Sequence, residues 1–515
     1  MKYVASLTRA TLVAALGMGF GIPSVLAFDS GSTGADGALN PTVNTEIQLP
    51  ESGILNYTSV NIPAGVTVKF RRNTANTPVY LLASGDVTIA GAIDVSGQDA
   101  KPTGTYGDGN LGDDGIPGEG GPGGFDGGRG GRDDQQLRAA IIRGGAGLGP
   151  GGGAGGIEGN DNCNTTTGYW KYVGTGGAHA FNVYKPSTRN YCANNYGPFS
   201  KAYGNELLQP LLGGSGGGGG RGGANYPGSG GGGGGGAILV AASGTLRITG
   251  SINARGGDGG GIAGTNVGGQ GAGGAGGAIR LMASKVEGNG NLYAEGGCIN
   301  YSNSRRQRCG TTGYTTEHGG SDGRIRIEGE AITFSGNSYP AYIGDTPGPV
   351  FLSNPPTLRI ASVAGRAVPA NTTGVADVVL PASASEGPMD VVFESSNIPL
   401  GNQVTLRAVP AYGTVVEATS GAIEGSAAAG SASVSITLPS GPTILQASTT
   451  YSITVASLND RVLEERLSGF AQNERVERVD VTVALEGSAQ ATLVTESGKQ
   501  FQLPYAALAA VGFRG

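Results

Sequence analysis

The chain has 515 residues, of which 100 are glycine, whereas an average protein contains about 7% glycine. Hydrophobic residues make up 38% of the chain, which is enough for a core, so ordered segments must alternate with glycine-rich ones. The 33 basic and 39 acidic residues give a net charge of −6. Because this balance provides no basic surface, we expect no nucleic-acid partner.

Residues 1–27 have the features of a secretory signal peptide. Lys2 and Arg9 form a basic start, and an apolar stretch interrupted by glycines and a proline follows them. Val25 and Ala27 are small residues at positions −3 and −1 before Phe28. The sequence therefore predicts an exported protein, secreted or at the cell surface in an extracellular or periplasmic space, with no transmembrane segment after the signal is removed.

The cysteines predict disulfides, because an exported chain passes through an oxidising compartment. They are Cys163, Cys192, Cys298 and Cys309. Three pairings are possible, and we favour the first with the second and the third with the fourth, since each pair brackets one polar insertion. Metal ligation is disfavoured because the chain has no C-x-x-C motif and its histidines, His179 and His318, lack the spacing of ligands. We expect no metal and no cofactor.

Before residue 350 a hidden repeat occurs, in stretches that begin at Val79, Ala237, Ala278 and Arg324. Within each stretch apolar residues alternate with polar ones, which is the period of a β-strand. Aligned apolar columns are Val79, Ile238, Ile279 and Ile325; Leu81, Val240, Leu281 and Ile327; Val87, Leu246, Val286 and Ile332; and Ile93, Ile252 and Leu292. Stacked copies predict an all-β parallel solenoid over residues 28–350, with its first coil or its cap at 45–70. An antiparallel sandwich is the alternative.

Three insertions, at 98–236, 258–277 and 298–323, leave the repeat at the same corner. Glycine recurs every third residue from 109 to 132, which is the polyproline II period. The glycine-rich tracts could lie side by side as polyproline II strands or form flexible loops, and the sequence leaves both open. Asp108, Asp113 and Asp114 are weak calcium candidates, and solvated turn residues are the favoured interpretation.

The turns Ala83-Ser84-Gly85 and Ala242-Ser243-Gly244, with the glycine-rich loops, carry a resemblance to a protein family. Over residues 45–350 the chain resembles the glycine-rich exported parallel β-helix proteins of bacteria. That resemblance implies a surface or extracellular scaffold with adhesin-like relatives. It implies no catalytic residue.

The disulfide-bracketed insertions hold the candidate binding residues. Aromatic rings on a rigid loop could stack on sugars or anchor a partner protein, and a small core within the insertion itself is the favoured alternative. A cluster of arginines could bind acidic polysaccharide or phosphate, and a solvated loop is the favoured alternative. The candidates are Tyr169, Trp170, Tyr172, Tyr184, Tyr191, Arg305, Arg306 and Arg308.

No pair of catalytic carboxylates is visible on the strand positions predicted to face solvent. In one column of such positions Asp94 and Asn253 match, but Tyr293 breaks the pattern. The other two columns are Tyr80, Leu239, Arg280 and Arg326, and Thr88, Arg247 and Glu287. We therefore predict a non-enzymatic scaffold that binds carbohydrate or a surface protein. The alternatives are a polysaccharide lyase or hydrolase on a β-helix, and a self-assembling subunit of an extracellular layer or filament.

Beyond residue 350 the glycine content falls, and short alternating runs predict a β-sandwich over 351–456. In the number and spacing of its strands this part resembles the immunoglobulin-like modules of bacterial surface proteins. The predicted strands are 357–363, 375–380, 389–394, 403–409, 414–418, 431–438 and 450–455. A small α/β tail region over 457–515 is expected to contain a helix at 459–471, a hairpin at 476–485 and 489–495, and a helix at 505–511.

Overall fold

The structure is a computed structural model, and every structural statement below concerns the residues that it describes. These are 28–103, 114–132, 143–156, 173–183, 200–223, 227–262, 269–299, 319–370, 376–381, 387–410, 415–438, 441, 443–485, 487 and 489–514.

Parallel strands build the first part of the chain. They are β1 (Ala38–Leu39), β2 (Thr45–Gln48), β3 (Ile54–Tyr57), β4 (Ser59–Ile62), β5 (Thr67–Arg71), β6 (Val79–Ala83), β7 (Val87–Ile89), β8 (Ala92–Asp94), β9 (Ala237–Ile248), β10 (Ser251–Asn253), β11 (Ala278–Gly288), β12 (Asn291–Tyr293), β13 (Arg324–Phe334), β14 (Asn337–Tyr339) and β15 (Ile343–Asp345). A 6-stranded short sheet has the order β14-β12-β10-β8-β5-β2, and the other strands form a 9-stranded long sheet. The antiparallel alternative for this region is therefore wrong.

The predicted apolar columns are confirmed by the register of the strands. Ile279 of β11 pairs with Ile238 of β9 and with Ile325 of β13. In the short sheet, Ile252 of β10 lies between Ile93 and Leu292. These columns point between the two sheets into one buried apolar cluster. Burial of aligned aliphatic side chains on both sheets is thus what holds the stack of strands together.

The outer face of the long sheet is buried along the first half of strands β9, β11 and β13, contrary to the prediction that its residues face solvent. Leu239 is fully buried, and Arg280 and Arg326 are only 2% and 5% exposed. A second apolar cluster, which includes Leu208, Leu211 and Leu239, covers this face. The covering segments are distant in sequence, since they comprise residues 28–32, 205–212 and 349–351.

A buried ionic network fixes the end of this region to the long sheet. Glu328 binds Arg280 through two hydrogen bonds of 2.9 and 3.1 Å and Arg326 through one of 2.6 Å. The Glu328 carboxylate also accepts the backbone N–H of Gly348 at 2.9 Å, and Arg280 donates to the Pro349 carbonyl at 3.1 Å. Arg326 also pairs with Asp345 at 2.8 Å. Each buried charge in the network therefore has a partner of opposite charge, as burial requires.

The glycine-rich tracts are ordered, and their backbones are hydrogen-bonded side by side. We name the described tracts 118–132, 143–156, 173–183, 213–223, 227–236, 254–262, 269–277, 294–299 and 319–323 the glycine bundle. The amide of Gly217 donates to the Gly232 carbonyl at 3.0 Å, and the amide of Gly232 donates to the Ala272 carbonyl at 2.9 Å. Ala272 in turn donates to Gly218 at 2.9 Å. For these residues, the flexible-loop alternative is wrong.

Close packing explains why the bundle needs glycine. A Cβ atom on Gly216, Gly217 or Gly218 would lie 2.0, 2.2 and 2.0 Å from a carbonyl oxygen of a neighbouring tract. The three neighbours are, in order, tracts 118–132, 269–277 and 143–156. Gly219 again faces tract 118–132, so the contacts repeat every three residues, as in polyproline II strands. Any side chain would separate backbones that are in contact on all three sides.

Antiparallel strands form the rest of the chain. They are β16 (Thr357–Val363), β17 (Arg366–Ala367), β18 (Met389–Ser396), β19 (Gln403–Pro410), β20 (Val416–Ala422), β21 (Glu424–Ser426), β22 (Ala429–Ile436), β23 (Thr443–Thr454), β24 (Val476–Ala484), β25 (Ala489–Thr495) and β26 (Gln500–Pro504). Two helices, α1 (Arg461–Phe470) and α2 (Tyr505–Ala510), and a 3-10 turn (Val455–Leu458) accompany them. The sheets have the orders β17-β16-β18-β22-β21 and β20-β19-β23-β24-β25-β26.

One apolar core cluster joins both antiparallel sheets and both helices. Strands β24 to β26 extend the sheet that contains β19 and β23, so residues on either side of position 457 share that sheet. The predicted strand at 375–380 is wrong, because the described residues 376–380 form none and Val379 is 86% exposed. The free edge of β16 is paired instead by the short strand β17.

In the described part of the chain, no helix is long and apolar enough to cross a membrane.

Candidate functional site

The outer face of the short sheet is accessible to solvent. Along β8, β10 and β12 the middle residue is buried and the two flanking residues are partly exposed. The outward column predicted from sequence is confirmed in register, since Asn253 pairs with Asp94 and with Tyr293. β14 extends this column by Tyr339, and it is the end strand of the sheet.

Two tyrosines and an arginine form a stacked ladder on this face. The rings of Tyr293 and Tyr339 are nearly parallel, with an angle of 8° and 5.9 Å between centroids. The guanidinium carbon of Arg255 lies 3.8 Å from the centroid of the Tyr293 ring, a cation–π contact. Tyr293 is therefore flanked by Arg255 and Tyr339, whereas Tyr339 is 43% exposed at the end of the stack. We name Arg255, Tyr293 and Tyr339 the tyrosine ladder.

Polar groups surround the tyrosine ladder. Glu295 accepts a hydrogen bond from Arg255 Nε at 3.0 Å, which holds the guanidinium over the ring. Asn337 donates its side-chain amide to the Asn291 side-chain oxygen at 2.9 Å, on the strands that carry the two tyrosines. An exposed aromatic face beside amide, carboxylate and guanidinium groups can hold a ligand that has both an apolar face and hydroxyl groups.

The buried titratable residues of the glycine bundle have structural roles. His179 is 1% exposed, its Nδ1 atom lies 2.8 Å from the Gly276 carbonyl oxygen, and its ring stacks on that of Tyr203. Burial, reinforced by the charge of Arg324, lowers the pKa of His179 to about 3. A histidine held neutral between tracts, without access to solvent, is not placed for proton transfer to a substrate.

Asp322 is a buried carboxylate whose titration should affect stability. Burial raises its pKa to about 6, opposed by a hydrogen bond from the Gly296 amide, which donates to Oδ1 at 3.2 Å. Because the pKa is higher in the folded than in the unfolded chain, this group stabilises the fold fully below about pH 4, and the contribution is lost as the pH rises to about 6.

Replacing Asp322 with asparagine should therefore stabilise the protein by about 1 to 3 kcal/mol at pH 7.5 and have little effect at pH 4. The amide keeps an acceptor for Gly296 and carries no charge. Urea unfolding of both proteins at the two pH values measures the difference. Titration of His179 affects the free energy of unfolding of both proteins equally, so it cancels in this comparison. A destabilisation at pH 7.5 would show that the ionised carboxylate is favoured in the fold.

All eight sequence-predicted binding residues lie outside the described part of the chain. These are Tyr169, Trp170, Tyr172, Tyr184, Tyr191, Arg305, Arg306 and Arg308, and the weak calcium candidates Asp108 and Asp113 lie outside it too. Asp114 is described and partly buried. No group of three or more histidine, cysteine or acidic side chains that could hold a metal occurs among the described residues.

The predicted disulfides stay predictions. Of the four cysteines, only Cys298 lies in the described part of the chain, where it is 6% exposed. Its backbone amide donates to the Asp258 side chain at 2.8 Å, which places it at the corner where the third insertion leaves the strands.

The residues of the tyrosine ladder were not predicted as a site. In the sequence, Tyr293 only interrupts the polar column of Asp94 and Asn253, so it does not stand out as a binding residue. Tyr339 was missed because the fourth copy has Ser338 where the others have an apolar residue, so the alignment stopped before it. In each copy, the outward residue of the short sheet directly follows the last inward position. This constant spacing is the sequence signal that could have identified the ladder.

Comparisons of the chain with models of protein families, with curated proteins and with solved structures find no match.

Proposed function

We propose that the protein is exported by the signal peptide at residues 1–27 and acts outside the cytoplasm as a non-enzymatic, adhesin-like scaffold that binds carbohydrate. In this proposal residues 28–350 form a parallel β-solenoid, and an immunoglobulin-like sandwich follows. The stiff stack of strands presents the tyrosine ladder and the glycine bundle on its surface. The observation that carries the proposal is the exposed ring of Tyr339 at the end of the ladder.

A saccharide fits the ladder better than an apolar ligand does. The C–H face of a pyranose ring can cover the outer face of Tyr339, while its hydroxyl groups meet the amide of Asn337. The inner face of that tyrosine is already supported by Tyr293, so the ring is held in place before a ligand arrives. Such preorganisation lowers the entropy cost of binding.

Replacing Tyr339 with alanine should weaken glycan binding by about 1 to 3 kcal/mol without unfolding the protein. The reason is that the substitution removes the only exposed ring of the ladder. The measurement is a titration of the purified protein with the best binder from a glycan array. Replacing Tyr339 with phenylalanine keeps the ring and should retain most of the affinity.

The matched control is Phe351→Ala. Phe351 is 45% exposed, close to the 43% of Tyr339, and its ring contacts Tyr80 at the long sheet. This variant should bind glycan as the parent protein does. Equal affinities for the Tyr339 and Phe351 alanine variants would contradict the proposed site.

Burial of Glu328 supports a non-enzymatic role over a polysaccharide lyase or hydrolase. Glu328 lies between two arginines, as in a charged active site, but its side chain is 1% exposed. A polymer cannot reach it without removal of the segment at 345–351. Measuring glycan release in the same binding experiment distinguishes the two functions, and turnover would contradict the scaffold.

A further inference from the structure

The N-terminal segment runs along the stack of strands and hydrogen-bonds to one strand after another. Ser32 Oγ donates to the Tyr57 carbonyl of β3 at 2.7 Å, and Ser30 Oγ donates to the Ala83 carbonyl of β6 at 2.7 Å. The Ser30 amide donates to the Ser243 hydroxyl of β9 at 3.0 Å. Residues 28–32 thus cross successive strands of the long sheet. We name residues 28–32 the N-terminal strap.

The strap ends at a carboxylate. The backbone nitrogen of Phe28 donates to Glu330 Oε1 of β13 at 3.0 Å, so the strap reaches from the early strands of the long sheet to a late one. The Phe28 side chain packs against the apolar cluster on the outer face of the long sheet, and Ser30 is fully buried. Phe28 therefore has a defined position. Its nitrogen donates to a carboxylate, whose negative charge would attract an ammonium group.

The sequence places a signal-peptidase site at the same residue. Val25 and Ala27 have the small side chains that such an enzyme requires before the bond to Phe28. Hydrolysis of this bond adds water across it: the hydroxyl joins the Ala27 carbonyl carbon, and the hydrogen joins the Phe28 nitrogen. At neutral pH the resulting amine takes up a proton, and the Ala27 carboxyl group loses one.

We propose that Phe28 is the first residue of the functional protein and that its α-ammonium group forms an ion pair with Glu330, so that removal of the signal peptide completes the strap. This inference rests on the export step of the proposed function. Before cleavage the Phe28 nitrogen offers one neutral amide hydrogen. After cleavage it offers three hydrogens and a positive charge, and a charge-assisted hydrogen bond is stronger than a neutral one.

The test begins with the exported protein, purified after secretion from a bacterial host. Intact mass should correspond to a chain that starts at Phe28. The amine is then labelled by reductive methylation with ¹³C, and its pKa is followed by NMR. We expect a pKa above the ordinary range of about 7.7 to 8.0 in low salt, because the carboxylate favours the charged form.

The Glu330→Gln variant separates the ion pair from other effects. It should return the pKa of the Phe28 amine toward the ordinary range. The other nearby carboxylate, Asp29, is still present in this variant, so only the effect of Glu330 is removed. Glu424→Gln, on the exposed strand β21, is the control and should leave the pKa as in the parent. The same pKa in parent and Glu330→Gln proteins would overturn the ion pair alone. A secreted chain that starts elsewhere would overturn the start at Phe28, and a chain that retains residues 1–27 would contradict the export step itself.

Discussion

Replacing Glu328 with alanine should lower the free energy of unfolding by about 3 to 5 kcal/mol. Arg280 would remain buried without its carboxylate partner, while Arg326 would keep only its ion pair with Asp345 at 2.8 Å. An uncompensated buried charge is strongly destabilising. The Gly348 amide would lose its acceptor as well, so the segment that leads into the antiparallel sheets would detach from the long sheet. Urea unfolding followed by far-UV circular dichroism measures the loss.

Glu287 provides the control for this prediction. It pairs with Lys285 on its own strand β11 and with Arg247 on the neighbouring strand β9, and its pKa is lowered mainly by the Lys285 hydrogen bond. Unlike the Glu328 network, these pairs are open to solvent. Glu287→Ala should therefore cause a much smaller loss, since water screens exposed pairs. Equal losses for the two variants would show that burial of the Glu328 network contributes nothing.

Replacing Gly217 with alanine should destabilise the glycine bundle by about 3 kcal/mol or more. The added methyl group would lie 2.2 Å from the Ala272 carbonyl oxygen, and this contact is with backbone that cannot rotate away. Tracts 213–223 and 269–277 must then separate, which breaks hydrogen bonds on both sides. The loss of stability should therefore be larger than overpacking alone usually causes. Thermal and urea unfolding report the change.

Gly344→Ala is the control within the same region. Its nearest neighbours are side-chain atoms at 3.6 Å, an ordinary contact distance. We expect little change in stability from this variant. If Gly217→Ala were equally neutral, tracts 213–223 and 269–277 could not be in backbone contact.

The register of the parallel strands could be predicted because side-chain alternation is local. Ile238, Ile279 and Ile325 occupy equivalent positions in their copies, and burial of one face fixes which positions align. The burial of Arg280 could not be predicted this way. It depends on residues 205–212 and 349–351, whose packing on the long sheet follows from tertiary contacts over long sequence separations.

The order of the glycine bundle was beyond sequence analysis for a different reason. Glycine has no side chain, so a tract that contacts backbone on three sides has almost the same composition as a flexible linker. The period of three is visible in the sequence from 109 to 132, but the sequence does not indicate which tracts are neighbours in the bundle. For the tyrosine ladder the obstacle was smaller, since Tyr339 follows the copy pattern and only Ser338 interrupted it.

Hydrogen exchange of the glycine-rich tracts, followed by mass spectrometry, tests most directly whether the chain builds an ordered bundle on its parallel strands. Amides in tracts 213–223, 227–236 and 269–277 donate to neighbouring carbonyls, so they should exchange only through opening of the structure and resemble β11 in protection. Exchange of these tracts at the rate of an unstructured peptide, while β11 stays protected, would contradict the bundle.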